Sequence, residues 1–218
     1  MAEKPKQKSL RPVDAATMVL WRRRRNGTLE VLMGRRHRNH VFMPHAYVFP
    51  GGRVDPVDAA LQPASPLAAD VQARLERAAN PTRARAIAAA AVRETFEEAG
   101  LLLGDIADDA PGGFHPALAS LDYFFRAITP PGRSRRFDAR FLVAEAEDLT
   151  GEIGDGDGEL LDVEFRSIDD TRALDIAGIT RIALAEFERW IAVPQAPNPE
   201  RLVPLSKFLR GRYYIAPE

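Results

Sequence analysis

The stretch Arg93-Glu94-Thr95-Phe96-Glu97-Glu98-Ala99-Gly100-Leu101 decides the fold of this chain. At about 100° per residue, Glu94, Glu97 and Glu98 share one face of a helix, while Ala88, Val92, Phe96 and Ala99 form a stripe on the other. The apolar stripe is expected to face the core and Gly100 to end the helix as its C′ residue. Three carboxylates this close repel and raise one another's pKa, a cost that a bound divalent cation removes. Oxygen ligands suit the hard ions Mg²⁺ and Mn²⁺. Taken alone, the same string also fits a solvated Glu-rich face with Arg93 pairing locally, so the surrounding sequence has to choose.

Upstream, the helix is expected to start at residue 82 or 83, after a break at Asn80-Pro81. Residues 56–80 shift to Ala, Pro, Asp and Arg, with one helix expected over 68–79, and read as an insertion within a domain. Before them stand a short strand over 53–55, the turn Pro50-Gly51-Gly52, and a strand over 46–49. Strands over 15–21 and 29–33 flank the tight-turn pair Asn26-Gly27 and read as a hairpin. Arg22 to Arg25 then sit at its tip, as a solvated turn without the aromatic series that a nucleic-acid platform needs.

Downstream, strands are expected over 123–128, 139–144 and 161–165, with a Gly/Asp loop over 154–158 and a helix over 180–191. The tail beyond Pro194 is Pro-rich and ends in Tyr213-Tyr214-Ile215, packing back on the fold or on a second subunit. These elements lack the βαβ rhythm of a doubly wound sheet and imply an α+β sandwich of mixed sheet and flanking helices. The organisation read from this is a flexible arm over 1–13, one domain over 14–193 with the insertion at about 56–82, and a C-terminal extension over 194–218.

Composition narrows the chemistry. The 218 residues carry 30 Lys plus Arg against 31 Asp plus Glu, so no global charge recommends nucleic acid or a membrane surface as partner. No cysteine is present, which excludes disulfide scaffolds, thiolate-zinc sites and cysteine nucleophiles. His37, His40 and His45 lack the spacing of a zinc site. No run reaches the roughly 18 apolar residues of a membrane span, and no signal peptide is evident, so a cytoplasmic protein is expected.

With Phe49-Pro50-Gly51-Gly52-Arg53-Val54-Asp55 upstream and Arg93 to Leu101 behind, the chain resembles the Nudix hydrolase family. That family's signature places Gly, five residues, Glu, seven residues and then REUXEEXGU, with U aliphatic. Gly52 and Asp58 fall on the first Gly and Glu, with Asp replacing Glu and about 34 residues separating Asp58 from Arg93 where the signature has seven. An insert at this point, with Val41-Phe42-Met43-Pro44 and the stretch from Ile128 to Phe141, resembles the peroxisomal-type acyl-coenzyme A diphosphatases. Leu32-Met33-Gly34-Arg35-Arg36 also stands at the distance expected of the short coenzyme A motif, whose later Arg and Gly are Val41 and His45 here.

The resemblance implies the Nudix fold, an α/β/α sandwich, and cleavage of a diphosphate linkage with Mg²⁺ or Mn²⁺. It implies metal binding by Glu94, Glu97, Glu98 and the Gly51 carbonyl, with Gly52, Asp58, Arg93 and Gly100 as structural parts of the motif. Glu97, Glu98 and Glu159 are the catalytic candidates. Glu159 would be the loop carboxylate acting as base or extra ligand, with Asp155 and Asp157 behind it; an ordinary surface Glu is the other reading. Arg35, Arg36 and Arg38 are candidates for phosphate binding, and Tyr47, Phe42 and Phe137 for stacking an adenine, against the alternatives of a solvated basic loop and core packing. The implied substrate is coenzyme A or acyl-coenzyme A, cleaved to 3′,5′-ADP and (acyl-)phosphopantetheine. Alternatives are ADP-ribose, NADH or dinucleoside polyphosphates, and a binding module that does not cleave. The family also implies a homodimer.

Overall fold

The computed structural model describes residues 10–38, 44–154, 156–209 and 212–218. Strands β1 (Val13–Arg23) and β2 (Leu29–Arg36) form the expected hairpin, followed by β3 (Tyr47–Val48) and β4 (Gly51–Arg53). Helices α1 (Pro56–Ala60), α2 (Ala69–Glu76) and α3 (Pro81–Ala99) lead to a small separate hairpin, β5 (Gly104–Ile106) and β6 (Phe114–Pro116). Then come β7 (Asp122–Ile128), β8 (Phe137–Glu145), β9 (Leu160–Ser167), α4 (Ile168–Ala173), α5 (Gly178–Ile191), β10 (Pro204–Leu209) and β11 (Arg212–Pro217).

Among the described residues nine strands join one mixed sheet in the order β11-β10-β7-β8-β1-β2-β3, with β4 against β1 and β9 against β2. β1 pairs with β8 in parallel from Val13↔Phe137 to Trp21↔Glu145, and is antiparallel to β2 and β4. β1 is buried on both faces, as its run of Ala, Met, Val and Leu implies for a central strand. One core holds Ala16, Met18, Leu20, Leu32 and Leu142 against the alanine-rich side of α3, where small side chains let the helix lie close to the sheet. The other holds Val19, Val31, Met33, Phe125 and Phe141 against Leu184 and Phe187 of α5. The architecture is therefore the α+β, α/β/α sandwich expected.

Several boundaries differ from the sequence reading, for identifiable reasons. Helix α3 begins at Pro81, not at 82 or 83, because proline is well suited to the first helical position and Asn80 caps it, accepting from the Arg83 amide at 2.9 Å. Gly51 and Gly52 lie inside β4 rather than in a turn, and Val54-Asp55 lies outside it. There Asp55 and Asp58 form a capping box that opens α1. The tail beyond Pro194 contains a hairpin whose β10 extends the sheet by pairing in parallel with β7, so it packs back on its own fold. Glu218 fastens that tail through Arg126 at 2.5 Å and the Tyr123 hydroxyl at 3.0 Å. No helix among the described residues is long and apolar enough to cross a membrane.

Candidate active site

The C-terminal half of α3 packs against β4, where Gly52 permits the close approach and Gly51 lies tight against β1. A Cβ on Gly52 would stand 2.5 Å from the Glu94 carboxyl, and one on Gly51 would stand closer still to the Ala16 carbonyl. The Gly51 amide donates to Glu98 Oε2 at 2.8 Å. The pair Gly51-Gly52 thus brings bare backbone against the glutamate-bearing face.

Arg93 organises the same face from within. Its Nε donates to Asp58 Oδ1 at 2.7 Å and its Nη2 to Asp58 Oδ2 at 3.1 Å and to the Arg53 carbonyl at 3.0 Å. Its Nη1 reaches Glu97 Oε2 at 2.8 Å and Glu94 Oε1 at 2.9 Å. Asp58, fully buried, also accepts from the Asp55 amide at 2.7 Å. Burial opposes the charge on Arg93, but the bonds to Asp58 and the charges of Glu94, Asp58 and Glu97 outweigh it and raise its pKa. The shorter Asp58 therefore reaches Arg93 across the 34 intervening residues.

The glutamates differ sharply in environment. Glu98 is 3% exposed, and burial pushes its carboxyl well above the usual carboxylate range, with Gly51 and Arg36 opposing the shift and Glu94 and Glu159 adding to it. Burial also pushes Glu94 up to about 7, against Arg93 and with the charges of Glu97 and Glu159. Glu97 is exposed. Negative charge is concentrated here beyond what the neighbouring guanidiniums neutralise, and the donors are all oxygens, which fits a hard divalent cation. Among the described residues no three His, Asp or Glu side chains stand together as a ligand set for an ion; Arg93 bonds Glu94 and Glu97, and the Gly51 amide bonds Glu98.

Glu159 stands in the loop between β8 and β9, immediately before Leu160 pairs with Arg36. Its carbonyl accepts from the His37 amide at 3.0 Å, its amide donates to Asp157 Oδ1 at 2.9 Å, and its charge acts on both Glu94 and Glu98. The same loop is docked on the end of α3, with the Asp157 amide on the Glu97 carbonyl at 2.8 Å and the Gly154 amide on the Ala99 carbonyl at 3.2 Å. Gly100, with φ 73°, turns the chain there as expected.

The basic candidates separate across the sheet. On β2, Leu32 belongs to the α3 core and Val31 and Met33 to the α5 core, so alternation sends Arg36 toward α3 and Arg35 toward α5. The Arg36 charge accordingly acts on Glu98. Arg35 instead bonds Asp162 Oδ2 at 2.8 Å, and its cross-strand neighbour Tyr47 packs on the α5 side beneath Arg166. Arg38 is exposed. Phe137 lies on β8, across β1 from β4; its partner Val13 is four residues from Thr17, the partner of Gly51, or about 13 Å of strand. The structure does not bring Phe137, Arg35 or Tyr47 to the glutamates. His40, Val41, Phe42 and Asp155 lie outside the described residues.

The sequence reading missed the docking of Gly154 and Asp157 on α3 and the partnership of Asp162 with Arg35. Asp162 occupies a bulge at positive φ, 53°, a conformation that Asp tolerates better than most residues. Only the density of Gly and Asp over 154–162 signalled either.

A family model described as the NUDIX domain matches residues 11–187. Among solved structures, a NUDIX hydrolase from Alicyclobacillus acidocaldarius is 27% identical with a TM-score of 0.62, covering 85% of this chain and 94% of that one. RenU, a Nudix hydrolase from M. smegmatis, is 15% identical with a TM-score of 0.50 over 85% of this chain and 90% of that one. The NUDIX domain of Shewanella oneidensis NrtR, solved with ADP ribose, is 12% identical with a TM-score of 0.50 over 87% and 94%. The last two show a shared fold. No curated protein gives a significant match.

Proposed function

The chain belongs to the NUDIX family and is a hydrolase of phosphorus-containing anhydrides; on that premise we propose that it cleaves the diphosphate of coenzyme A or acyl-coenzyme A with Mg²⁺ or Mn²⁺. The observation that carries the reading is the approach of Gly51-Gly52 to Glu94 and Glu98, which gathers oxygen donors where burial alone would disfavour their charge. Glu94, Glu97, Glu98 and the Gly51 carbonyl would hold the cation. When bound, it would neutralise diphosphate charge and make an attacking water more acidic. Arg93 keeps the glutamates in register by bonding Glu94 and Glu97 while Asp58 holds its far side. Glu159 receives the proton of the attacking water, and Arg36, on the same side of the sheet, meets a substrate phosphate.

Coenzyme A as substrate rests on the Leu32 to Arg36 motif and on residues 56–82 as an insertion of the peroxisomal-type branch. One observation favours a second reading. Arg35 is engaged by Asp162 on the far side of the sheet, which takes one of the three candidate guanidiniums away from a 3′-phosphate and suits a substrate without one, such as ADP-ribose. A homodimer belongs to the same proposal, with Tyr213, Tyr214 and Ile215 exposed on β11 as the apolar surface available for it.

The test is a panel of coenzyme A, acetyl-coenzyme A, ADP-ribose, NADH and a dinucleoside polyphosphate, with Mg²⁺ or Mn²⁺, on wild type and Glu97→Gln together. Coenzyme A should be consumed to 3′,5′-ADP, and Glu97→Gln should lose about 10²-fold or more in turnover with its fold intact. Intact coenzyme A beside consumed ADP-ribose would replace the first substrate by the second. Equal turnover in wild type and variant would end the metal-site reading.

A further inference from the structure

The loop that carries Glu159 is fastened to the same helical turn that carries Glu97 and Glu98. The last carbonyls of a helix have no partner within it. Here the Asp157 amide takes the Glu97 carbonyl at 2.8 Å and the Gly154 amide takes the Ala99 carbonyl at 3.2 Å. Gly156, between them at φ +51°, lies so close that a Cβ would stand 2.5 Å from both the Glu97 and Glu98 carbonyls. Asp157 then turns its carboxylate back on the chain, where Oδ1 accepts from the Glu159 amide at 2.9 Å. From the other side, the His37 amide at the end of β2 holds the Glu159 carbonyl at 3.0 Å.

We propose that Asp157 is a positioning residue: through its amide on Glu97 and its carboxylate on the Glu159 amide, it sets the Glu159 carboxylate against the helix glutamates. The inference rests on the placement of Glu159 in the hydrolytic site. One residue thereby bridges two elements that are far apart in sequence, and a loop carboxylate takes its location from the helix end. Displacing a reacting group by about 1 Å can cost as much as 10²-fold, so a single exposed tether is worth a measurable part of that.

The experiment compares wild type, Asp157→Ala, Asp157→Asn, Glu159→Gln and the Asp157→Ala/Glu159→Gln double variant on coenzyme A and ADP-ribose. Amide hydrogen exchange at residue 159 is followed by NMR on the same proteins. Asp157→Ala should lower kcat about tenfold with KM within about twofold, and should speed exchange at the residue 159 amide. Asp157→Asn keeps an oxygen acceptor and should restore both. In the double variant the loss should equal that of Glu159→Gln alone, because a positioning residue has nothing left to position. Equal losses in Asp157→Ala and Asp157→Asn would overturn the proposal by showing that the charge acts directly. Multiplying losses in the double variant would overturn it by showing independent roles. Turnover unchanged in Glu159→Gln removes the premise, whereas turnover lost in Glu159→Gln but kept in Asp157→Ala refutes the positioning itself.

Discussion

The two ends of α3 treat buried charge in opposite ways. Near its N-terminal end, Arg83 and Arg140 grip Asp14, the latter at 2.6 Å, while Arg126 holds Asp138 through two bonds of 2.7 Å and also reaches Glu218. Three guanidiniums there meet three carboxylates, and although burial opposes it, the bonds from Arg83 and Arg140 hold Asp14 below its usual pKa. At the C-terminal end, Asp58, Glu94, Glu97, Glu98 and Glu159 face Arg93 and Arg36, and two carboxyls are pushed up instead of down. Both regions are polar clusters between the same helix and sheet. A balanced cluster serves stability, whereas one with excess carboxylate gives up stability, as the proposed cation site requires.

The largest expected consequence lies at the unbalanced end. Glu98→Gln keeps an acceptor for the Gly51 amide but removes the most buried carboxyl of the three helix glutamates, so turnover should fall by about 10³-fold. Its melting temperature without divalent cation should equal or exceed that of wild type. A lower melting temperature would mean that Glu98 is structural, as Asp14 is, and would erase the contrast. Next in size is Asp58→Ala, which strips Arg93 of its buried partner and should cost about 3 kcal/mol, because breaking a buried pair leaves a charge uncompensated. Denaturant unfolding measures it, and a loss under about 1 kcal/mol, the ordinary scale of an exposed pair, would show that Arg93 does not need Asp58.

Much of the unbalanced end was legible in the sequence, since helical periodicity alone aligns Glu94, Glu97 and Glu98 and the caps Asn80 and Gly100 bracket the helix. Asp55-Pro56-Val57-Asp58 also carried a capping-box signal for α1, although the sequence reading took Asp55 for strand. The balanced end was not legible. Asp14, Arg83, Arg126, Asp138, Arg140 and Glu218 come from five separate segments, and their meeting depends on parallel pairings of β1 with β8 and β7 with β10. Parallel neighbours are distant in sequence and leave no local turn signal. The docking of Asp157 on α3 was hidden for a related reason: it runs through main-chain amides and carbonyls, which every residue type possesses.

The smallest effect is a difference of slope with pH, and it probes the contrast at both ends. Glu94 titrates at about 7 in the fold and at about 4.5 when unfolded, so between these values the folded chain holds a proton that the unfolded chain releases. Unfolding then releases protons, and stability without divalent cation should fall as pH rises from about 4.5 to about 7, then level off. Relative to Glu94→Gln the loss should be on the order of 1–2 kcal/mol, because each pH unit between the two values is worth about 1.4 kcal/mol at most and the carboxyl keeps some access to water. Asp14 has the opposite sign: its contribution is complete above its unfolded pKa and is lost only in more acid solution, as pH falls through its depressed folded value. Added Mn²⁺ favours the ionised Glu94 and should flatten the wild-type slope between about 4.5 and about 7 while leaving the acid limb set by Asp14 in place. Parallel melting-temperature profiles for wild type and Glu94→Gln, with and without Mn²⁺, would show that the two ends of α3 do not differ in the way their charge is held.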